Sequence, residues 1–101
     1  MQIIIGNNYT FSRKTKLNLI DNRLIINRIG SVTTVYLDKM DIEDLENSND
    51  STVYFYCKTD QKCVKNPDGK FITYDNHPFS NINAKNKFIS LYVQLIKNIQ
   101  N

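Results

Sequence analysis

The chain has 101 residues, of which 41% are hydrophobic and 23% charged, and its formal net charge is +3 at pH 7. This length can enclose one hydrophobic core and the composition is too apolar for a disordered tail, so we expect a single folded domain over residues 1–101. Nucleic acid is not an expected partner, because its binding needs a concentrated basic face and the 13 lysine and arginine residues are spread along the chain.

The N-terminal residues show no targeting signal. Ile3, Ile4 and Ile5 are followed at once by Gly6, which leaves no apolar core of the about 7–15 residues that a signal peptide needs. We therefore expect a cytoplasmic protein. Residues 1–11 fall outside the strand pattern that follows, as an N-terminal extension or, through residues 2–5, as an extra edge strand.

Alternation of apolar and polar residues, which marks a half-buried strand, recurs from Lys16 onward. Asp21 and Asn22 separate the first two such runs and tolerate positive φ, so they predict a type I′ hairpin turn. The acidic segment 41–46 fits a strand or one helical turn, and we expect a strand. The seven predicted strands, which place β-sheets over 16–79, are residues 16–20, 23–29, 32–37, 41–46, 52–58, 62–66 and 71–79.

The period of the apolar residues changes from 2 to 3.6 in the last segment, which predicts an amphipathic helix over 82–99. The stripe contains Ala84, Phe88, Leu91 and Leu95. Asn81 or Asn83 can cap the first turn, since a short amide side chain accepts from the exposed N–H groups there. The stripe must be buried against the sheets, so a partner near the helix should contact its rim, around Lys85 or Phe88, or the sheet edge beside it.

This order of elements resembles the pleckstrin-homology-like (PH-like) superfold. Within it, Cys57-Lys58 and Lys62-Cys63-Val64 on a hairpin ahead of the helix are similar to small uncharacterised bacterial proteins of that fold. The resemblance covers residues 16 to 99 and implies a mainly β (α+β) fold. It would be a seven-stranded antiparallel sandwich or partly open barrel, capped by one C-terminal helix. It implies no known activity.

The two cysteines, Cys57 and Cys63, should face each other across a hairpin that turns at residues 59–61. They do not complete a metal site, because zinc takes four ligands and the only histidine is His77, and we expect no cofactor. Disulfides are rare in the cytosol, so we expect free, packed thiols, with a disulfide as the alternative.

No catalytic group stands out, so we expect no enzymatic activity. His77 lies between Asn76 and Pro78, which favours an exposed loop, and no nucleophile can be paired with it from the sequence. The densest charge cluster is interpreted as a solvated edge that discourages strand addition. This cluster comprises Asp38, Asp41, Glu43, Asp44 and Glu46.

A short basic segment, with Arg13, Lys14 and Lys16, is the candidate contact for an anion or a lipid headgroup. The resemblance implies such a role, because many pleckstrin-homology domains bind inositol phosphates through basic residues around the loop that joins their first two strands. If residues 16–20 are the first strand, that loop is residues 21–22 and is too short and too acidic. If residues 9–11 are the first strand, the basic cluster lies in the loop.

The sequence thus favours a small non-enzymatic binding or adaptor module for a protein or peptide partner. Such a partner could add a strand to an open sheet edge or insert between the helix and the neighbouring strand. One alternative is an adaptor for anionic lipid or a membrane surface that uses the basic segment. Another is a structural subunit that associates with itself through residues 2–5.

Overall fold

The computed structural model describes residues 9–47, 49–57 and 62–100, which form antiparallel sheets and one C-terminal helix. The strands are β1 Tyr9–Ser12, β2 Thr15–Ile20, β3 Arg23–Arg28, β4 Ser31–Tyr36, β5 Leu45–Asn47, β6 Thr52–Tyr56, β7 Val64–Lys65, β8 Phe71–Ile72 and β9 Tyr74–Pro78, and the helix α1 is Ile82–Gln100. The larger sheet has the order β1-β2-β3-β4-β7-β8, and the smaller one has the order β5-β6-β9. The predicted mainly β fold with a C-terminal helix is therefore confirmed. The two sheets share no strand, so the described strands do not form a closed barrel.

The β2–β3 hairpin confirms the period-2 prediction. Its register pairs Ile20 with Arg23 and leaves a two-residue loop. Asp21 has a φ of 56° but Asn22 has no positive φ, whereas a type I′ turn needs positive φ at both positions. The predicted turn type is therefore wrong, although the loop position is right.

The described residues form nine strands rather than the predicted seven, because residues 9–12 form β1 and the last predicted strand divides in two. Most predicted boundaries shift, and three of the predicted strands differ for a local reason. The segment 41–46 begins as a 3₁₀ turn, Ile42–Asp44, because the backbone N–H of Asp41 donates to Oδ2 of Asp44 at 2.9 Å and this local bond competes with strand pairing. The segment 62–66 shortens because Lys62 has a φ of 52°. The segment 71–79 divides at Thr73, where the chain passes from the larger sheet to the smaller one.

The helix packs on both sheets through aromatic side chains. Phe88 is fully buried, and its ring centroid lies 5.8 Å from Phe11 of β1, 6.2 Å from Phe55 of β6 and 5.2 Å from Phe79. Tyr92 lies one turn further along and contacts Phe55 at 5.6 Å. The core therefore lies between the sheets and the helix, and the predicted apolar stripe is confirmed as part of it.

The start of the helix is fixed by Asn81, whose Oδ1 accepts from the Ala84 N–H at 2.8 Å, so the predicted cap is confirmed. Lys85, assigned to the helix rim by the sequence, is instead buried. Its Nζ donates to the Asp50 carbonyl at 2.6 Å. A long aliphatic stem can cross the core edge while its ammonium reaches a polar partner, so the rim expected at Lys85 and Phe88 is wrong.

Cys57 and Cys63 form a disulfide, so the expectation of free thiols is wrong. The end of β6 and the approach to β7 bring their Cα atoms to 5.7 Å, within the range that a disulfide spans. The bond connects a strand of the smaller sheet to the segment that enters the larger one. The rarity of cytosolic disulfides concerns the redox compartment and gives no information on this proximity.

Residues 2–5, on which an extra edge strand or self-association depends, lie outside the described residues. Among the described residues, no helix has the length and apolar character needed to cross a membrane.

Replacing Tyr92 with Phe should weaken the dependence of stability on alkaline pH. The Tyr92 hydroxyl donates to the Asp41 carbonyl at 3.2 Å, and burial, with smaller contributions from Asp44 and Asp41, raises the pKa of Tyr92 well above its ordinary range. Because the folded pKa is the higher one, this stabilisation is complete below pH about 10, where the unfolded tyrosine ionises, and decreases above it.

Urea unfolding of Tyr92→Phe at neutral pH should show a loss of about 1 kcal/mol, and the loss should shrink between pH 9 and 11. The matched control is Tyr9→Phe, an exposed tyrosine whose substitution should leave the curve unchanged. If the free energies of unfolding of the wild type and Tyr92→Phe decreased equally at alkaline pH, Tyr92 would not be the source of this pH dependence.

Removing the disulfide should lower the free energy of unfolding by about 2 kcal/mol, the chain-entropy value for a loop this short. The cysteines are separated by 6 residues in sequence, so the constraint on the unfolded chain is modest. This stabilisation is measured by thermal unfolding of the oxidised protein and of the protein treated with dithiothreitol. The Cys57→Ala/Cys63→Ala double variant is the control, because reductant should not change its melting temperature. An unchanged melting temperature after reduction would show that the bond does not stabilise the fold.

Candidate functional site

The basic segment forms the turn between the first two strands. Ser12 of β1 pairs with Thr15 of β2, so Arg13 and Lys14 are the two turn residues, and both are exposed. The structure thus supports the second of the two alternatives drawn from the sequence, in which residues 9–11 belong to the first strand. Lys16 lies on β2 itself and is also exposed.

Arg28 extends this cluster across the larger sheet. Thr15 pairs with Arg28 of β3, which places Ser12, Thr15 and Arg28 in one row at the same end of three neighbouring strands. Side chains alternate along a strand, and Leu24 and Ile26 of β3 are both buried, so Arg28 lies on the core-facing side of the sheet.

The surroundings of Arg28 are partly apolar. Its guanidinium carbon lies 5.4 Å from the ring centroid of Phe79, and burial lowers the pKa of the guanidinium below its ordinary value. Within residues 9–47, 49–57 and 62–100, no carboxylate forms an ion pair with it. A cation that is partly removed from water and has no neighbouring carboxylate favours an anion at this position.

These groups surround a cavity of about 250 Å³ between the β1–β2 turn and the first turn of α1, which we call the turn pocket. It is lined by Ser12, Arg13, Lys14, Thr15, Arg28, Phe79, Ser80 and Ala84. Three of these side chains are cationic, three carry hydroxyl groups, and none is acidic. A guanidinium with adjacent hydroxyls offers the donors that bind a phosphate or carboxylate through several hydrogen bonds.

A second cavity, of about 220 Å³, lies on the other side of the same turn. Lys16 pairs with Asn27, and together with Ile29 these residues join Arg13 and Lys14 in lining it. The predicted cations therefore divide: Arg13 and Lys14 line both cavities, and Lys16 lines only this outer one. Ile29, at the adjacent β3–β4 turn, is 78% exposed.

A third cavity, of about 230 Å³, separates β1 from α1 and is called here the helix groove. It is lined by Tyr9, Phe11, Lys87, Ser90, Leu91 and Gln94. The helical members recur at intervals of three and four residues and so form one stripe along α1. This stripe is the exposed rim of the helix.

Sequence reasoning missed Arg28, Phe79 and Ser80. Arg28 lies next to the end of the predicted strand 23–29, where a charged residue normally points to solvent, and its pairing with Thr15 follows only from the hairpin register. Pairing the residues outward from the two-residue loop at Asp21 and Asn22 places Arg28 opposite Thr15 at the sixth pair. This count would have found Arg28 from the sequence.

His77 is not the exposed loop residue that the sequence predicted. It belongs to β9 and is 6% exposed, with its ring 5.7 Å from that of Phe55. Its Nε2 lies 2.8 Å from Oδ2 of Asp75, and neither atom has another hydrogen-bond partner among the described residues. The pair lies on the inner side of the smaller sheet and lines none of the three cavities.

The acidic cluster also differs from a strand edge. Asp38, Asp41 and Glu43 are exposed, as expected, but Asp38 lies in a 3₁₀ turn, Leu37–Lys39, and Glu43 in a second one, Ile42–Asp44. Asp41 precedes the second turn, and its backbone N–H is capped by the Asp44 side chain. The side chain of Glu46 lies outside the described part. No three histidine, cysteine or acidic side chains come together as metal ligands in the described ranges.

Comparisons of the chain with protein-family models, with curated proteins and with solved structures gave no match. The resemblance to the PH-like superfold therefore stays a prediction based on the order of the elements. The function is therefore inferred from the geometry of the three cavities.

Proposed function

We propose that this chain is a non-enzymatic binding module for a protein or peptide partner. The partner carries an anionic group, a phosphate or a carboxylate, which binds in the turn pocket. The observation that carries the proposal is Arg28: a partly desolvated guanidinium on the core-facing side of the sheet, with no ion pair to a described carboxylate. The anion of the partner would supply the missing charge.

The electrostatics of the pocket support this role. Arg13 and Lys14 are exposed at its mouth, where screening keeps each surface charge to a small contribution, while Arg28 lies deeper and interacts more strongly. The planar guanidinium can bind an oxyanion with two parallel hydrogen bonds. Ser12, Thr15 and Ser80 can supply further donors to the same anion.

The finer architecture belongs to the same proposal. Antiparallel sheets followed by a C-terminal helix, with basic residues in the turn joining β1 and β2, are consistent with a PH-like domain. Fold alone does not define function, and the proposal depends on the pocket residues.

Arg28→Gln should weaken anion binding about tenfold or more, since hydrogen bonds to charged groups contribute about 1.5–3 kcal/mol. The measurement is titration of the ¹⁵N-labelled protein with pyrophosphate at low salt, followed by amide chemical shifts. In the wild type, the shifts should concentrate at Ser12, Thr15, Arg28 and Ser80. They should decrease as the salt concentration rises.

The matched control is Arg23→Gln, which removes the same charge from the opposite end of β3. Arg23 is 3.7 Å from Asp21 and its side chain is 43% exposed, so its loss should leave pyrophosphate binding nearly unchanged. Equal weakening by both substitutions would show a general charge effect and would reject the turn pocket as the site.

Membrane-surface binding is the second candidate, and Ile29 is the observation that favours it. An isoleucine that is 78% exposed, beside Arg13, Lys14 and Lys16, combines an apolar tip with cations, and both interact favourably with an anionic bilayer surface. This candidate uses the outer cavity rather than the turn pocket.

Sedimentation with phosphatidylserine vesicles tests the membrane candidate. Ile29→Ser should reduce the vesicle-bound fraction several-fold, whereas Ile42→Ser, at another exposed isoleucine (40% exposed), should have no effect. Pyrophosphate binding in solution should not change in either variant. Absence of vesicle binding at low salt, or equal binding by both variants, would reject the membrane candidate.

A further inference from the structure

The turn pocket and the helix groove are adjacent along β1 and α1, and we refer to the two together as the channel. Ser12 lines the pocket and Phe11 lines the groove, and these residues are neighbours on β1. The floor is also continuous, because the rings of Phe79, in the pocket, and Phe11, in the groove, are in contact with centroids 5.8 Å apart.

The opposite wall is continuous as well. Ala84 lines the pocket, and Lys87, Leu91 and Gln94 line the groove. These residues are three or four positions apart, so they lie along one face of the helix. The Lys87 ammonium stands 5.5 Å from the centroid of the Phe11 ring, and both residues line the groove.

Charge is distributed unequally along this channel. Its pocket end contains the three cations Arg13, Lys14 and Arg28, whereas its groove end contains one cation, Lys87, beside Tyr9, Phe11 and Leu91. Among the described residues that line either part, none is acidic. The channel is thus cationic at one end and mainly apolar at the other, which is complementary to a ligand that carries an anion and apolar side chains on one elongated backbone.

The strand that borders the channel can pair with another backbone. β1 is the terminal strand of the larger sheet and pairs only with β2, so its other edge carries backbone groups that no described strand pairs. Addition of an extended segment to such an edge gives affinity through the main chain and specificity through alternate side chains.

We propose that the channel binds an extended peptide that adds to the edge of β1, with an acidic or phosphorylated side chain in the turn pocket and an apolar side chain in the helix groove. This inference rests on the proposed function, because it uses the same turn pocket for the anion. Tyr9 lines the groove and Ser12 lines the pocket, and these residues are three positions apart on β1, which is about 10 Å of extended chain. The anionic and apolar side chains of the peptide should therefore be at least three residues apart.

The experiment uses the full chain, immobilised, and a library of octapeptides with one fixed phosphoserine or glutamate and random residues elsewhere. Selected peptides should contain apolar residues three to five positions from the fixed anion. Fluorescence anisotropy then measures the affinity of the selected peptides for the wild type and for variants.

Two substitutions with matched controls locate the peptide. Ser90→Trp fills the groove from an exposed position and should weaken peptide binding at least tenfold, whereas Asn86→Trp, exposed on the same helix but outside the groove, should not. Arg28→Gln should also weaken it at least tenfold, in contrast to Arg23→Gln. Pyrophosphate binding should survive Ser90→Trp, which separates failure of the groove from failure of the turn pocket.

Several results would overturn the inference. These are the absence of any selected sequence preference, peptide binding that Ser90→Trp leaves unchanged, and binding of phosphatidylserine vesicles with no peptide binding. Another is peptide binding only by a chain that lacks residues 1–8, which would make that segment the occupant of the channel. A dimer in light scattering that Ser90→Trp dissociates would assign the groove to a second copy.

Discussion

The ring of Phe88 holds together the three parts of this molecule. It is fully buried and contacts Phe11 in the larger sheet, Phe55 in the smaller sheet and Phe79 just before the helix. A buried phenylalanine contributes about 2–3 kcal/mol through the hydrophobic effect, and edge-to-face neighbours add to it. This contact joins the helix to β1 and so helps to set the width of the channel between them. Tyr92 and the capping bond of Asn81 stabilise the same placement.

The candidate site follows from this packing. The sheets leave an open end where Ser12, Thr15 and Arg28 form a row across three strands, and the helix brings Ser80 and Ala84 to that end. Arg28 is consequently held between the sheet and the Phe79 ring, partly removed from water. The arrangement explains why a chain with only a weak net charge can present a local cationic pocket. It also explains why Lys16, only two residues after Lys14, takes part in a different surface on the outer side of the sheet.

Local patterns were sufficient for the β2–β3 hairpin and for the helix, because period 2 between Leu17 and Ile26 and period 3.6 from Ala84 onward report the buried face directly. Local patterns failed where tertiary packing determines the structure. The polar neighbours of His77 hide the fact that this side chain points inward from β9, and the disulfide depends on how the two sheets meet. Asp44 caps a 3₁₀ turn in a segment whose sequence is also compatible with a strand. In the candidate site, Arg13 and Lys14 were found as a charge cluster. Arg28 was missed, because its partners are 13 or more residues away in the sequence and next to it only through strand register.

The core and the channel beside β1 both depend on Phe88, which joins the two sheets to the helix. In a ¹³C-labelled sample of the full chain, nuclear Overhauser effects between aromatic protons test this contact, since the centroid of the Phe88 ring lies 5.8 Å from that of Phe11 and 6.2 Å from that of Phe55. The account predicts that the Phe88 ring gives cross-peaks to both Phe11 and Phe55. Cross-peaks to only one of these rings would mean that the helix is docked on a single sheet, and would contradict both the core described here and the channel beside β1.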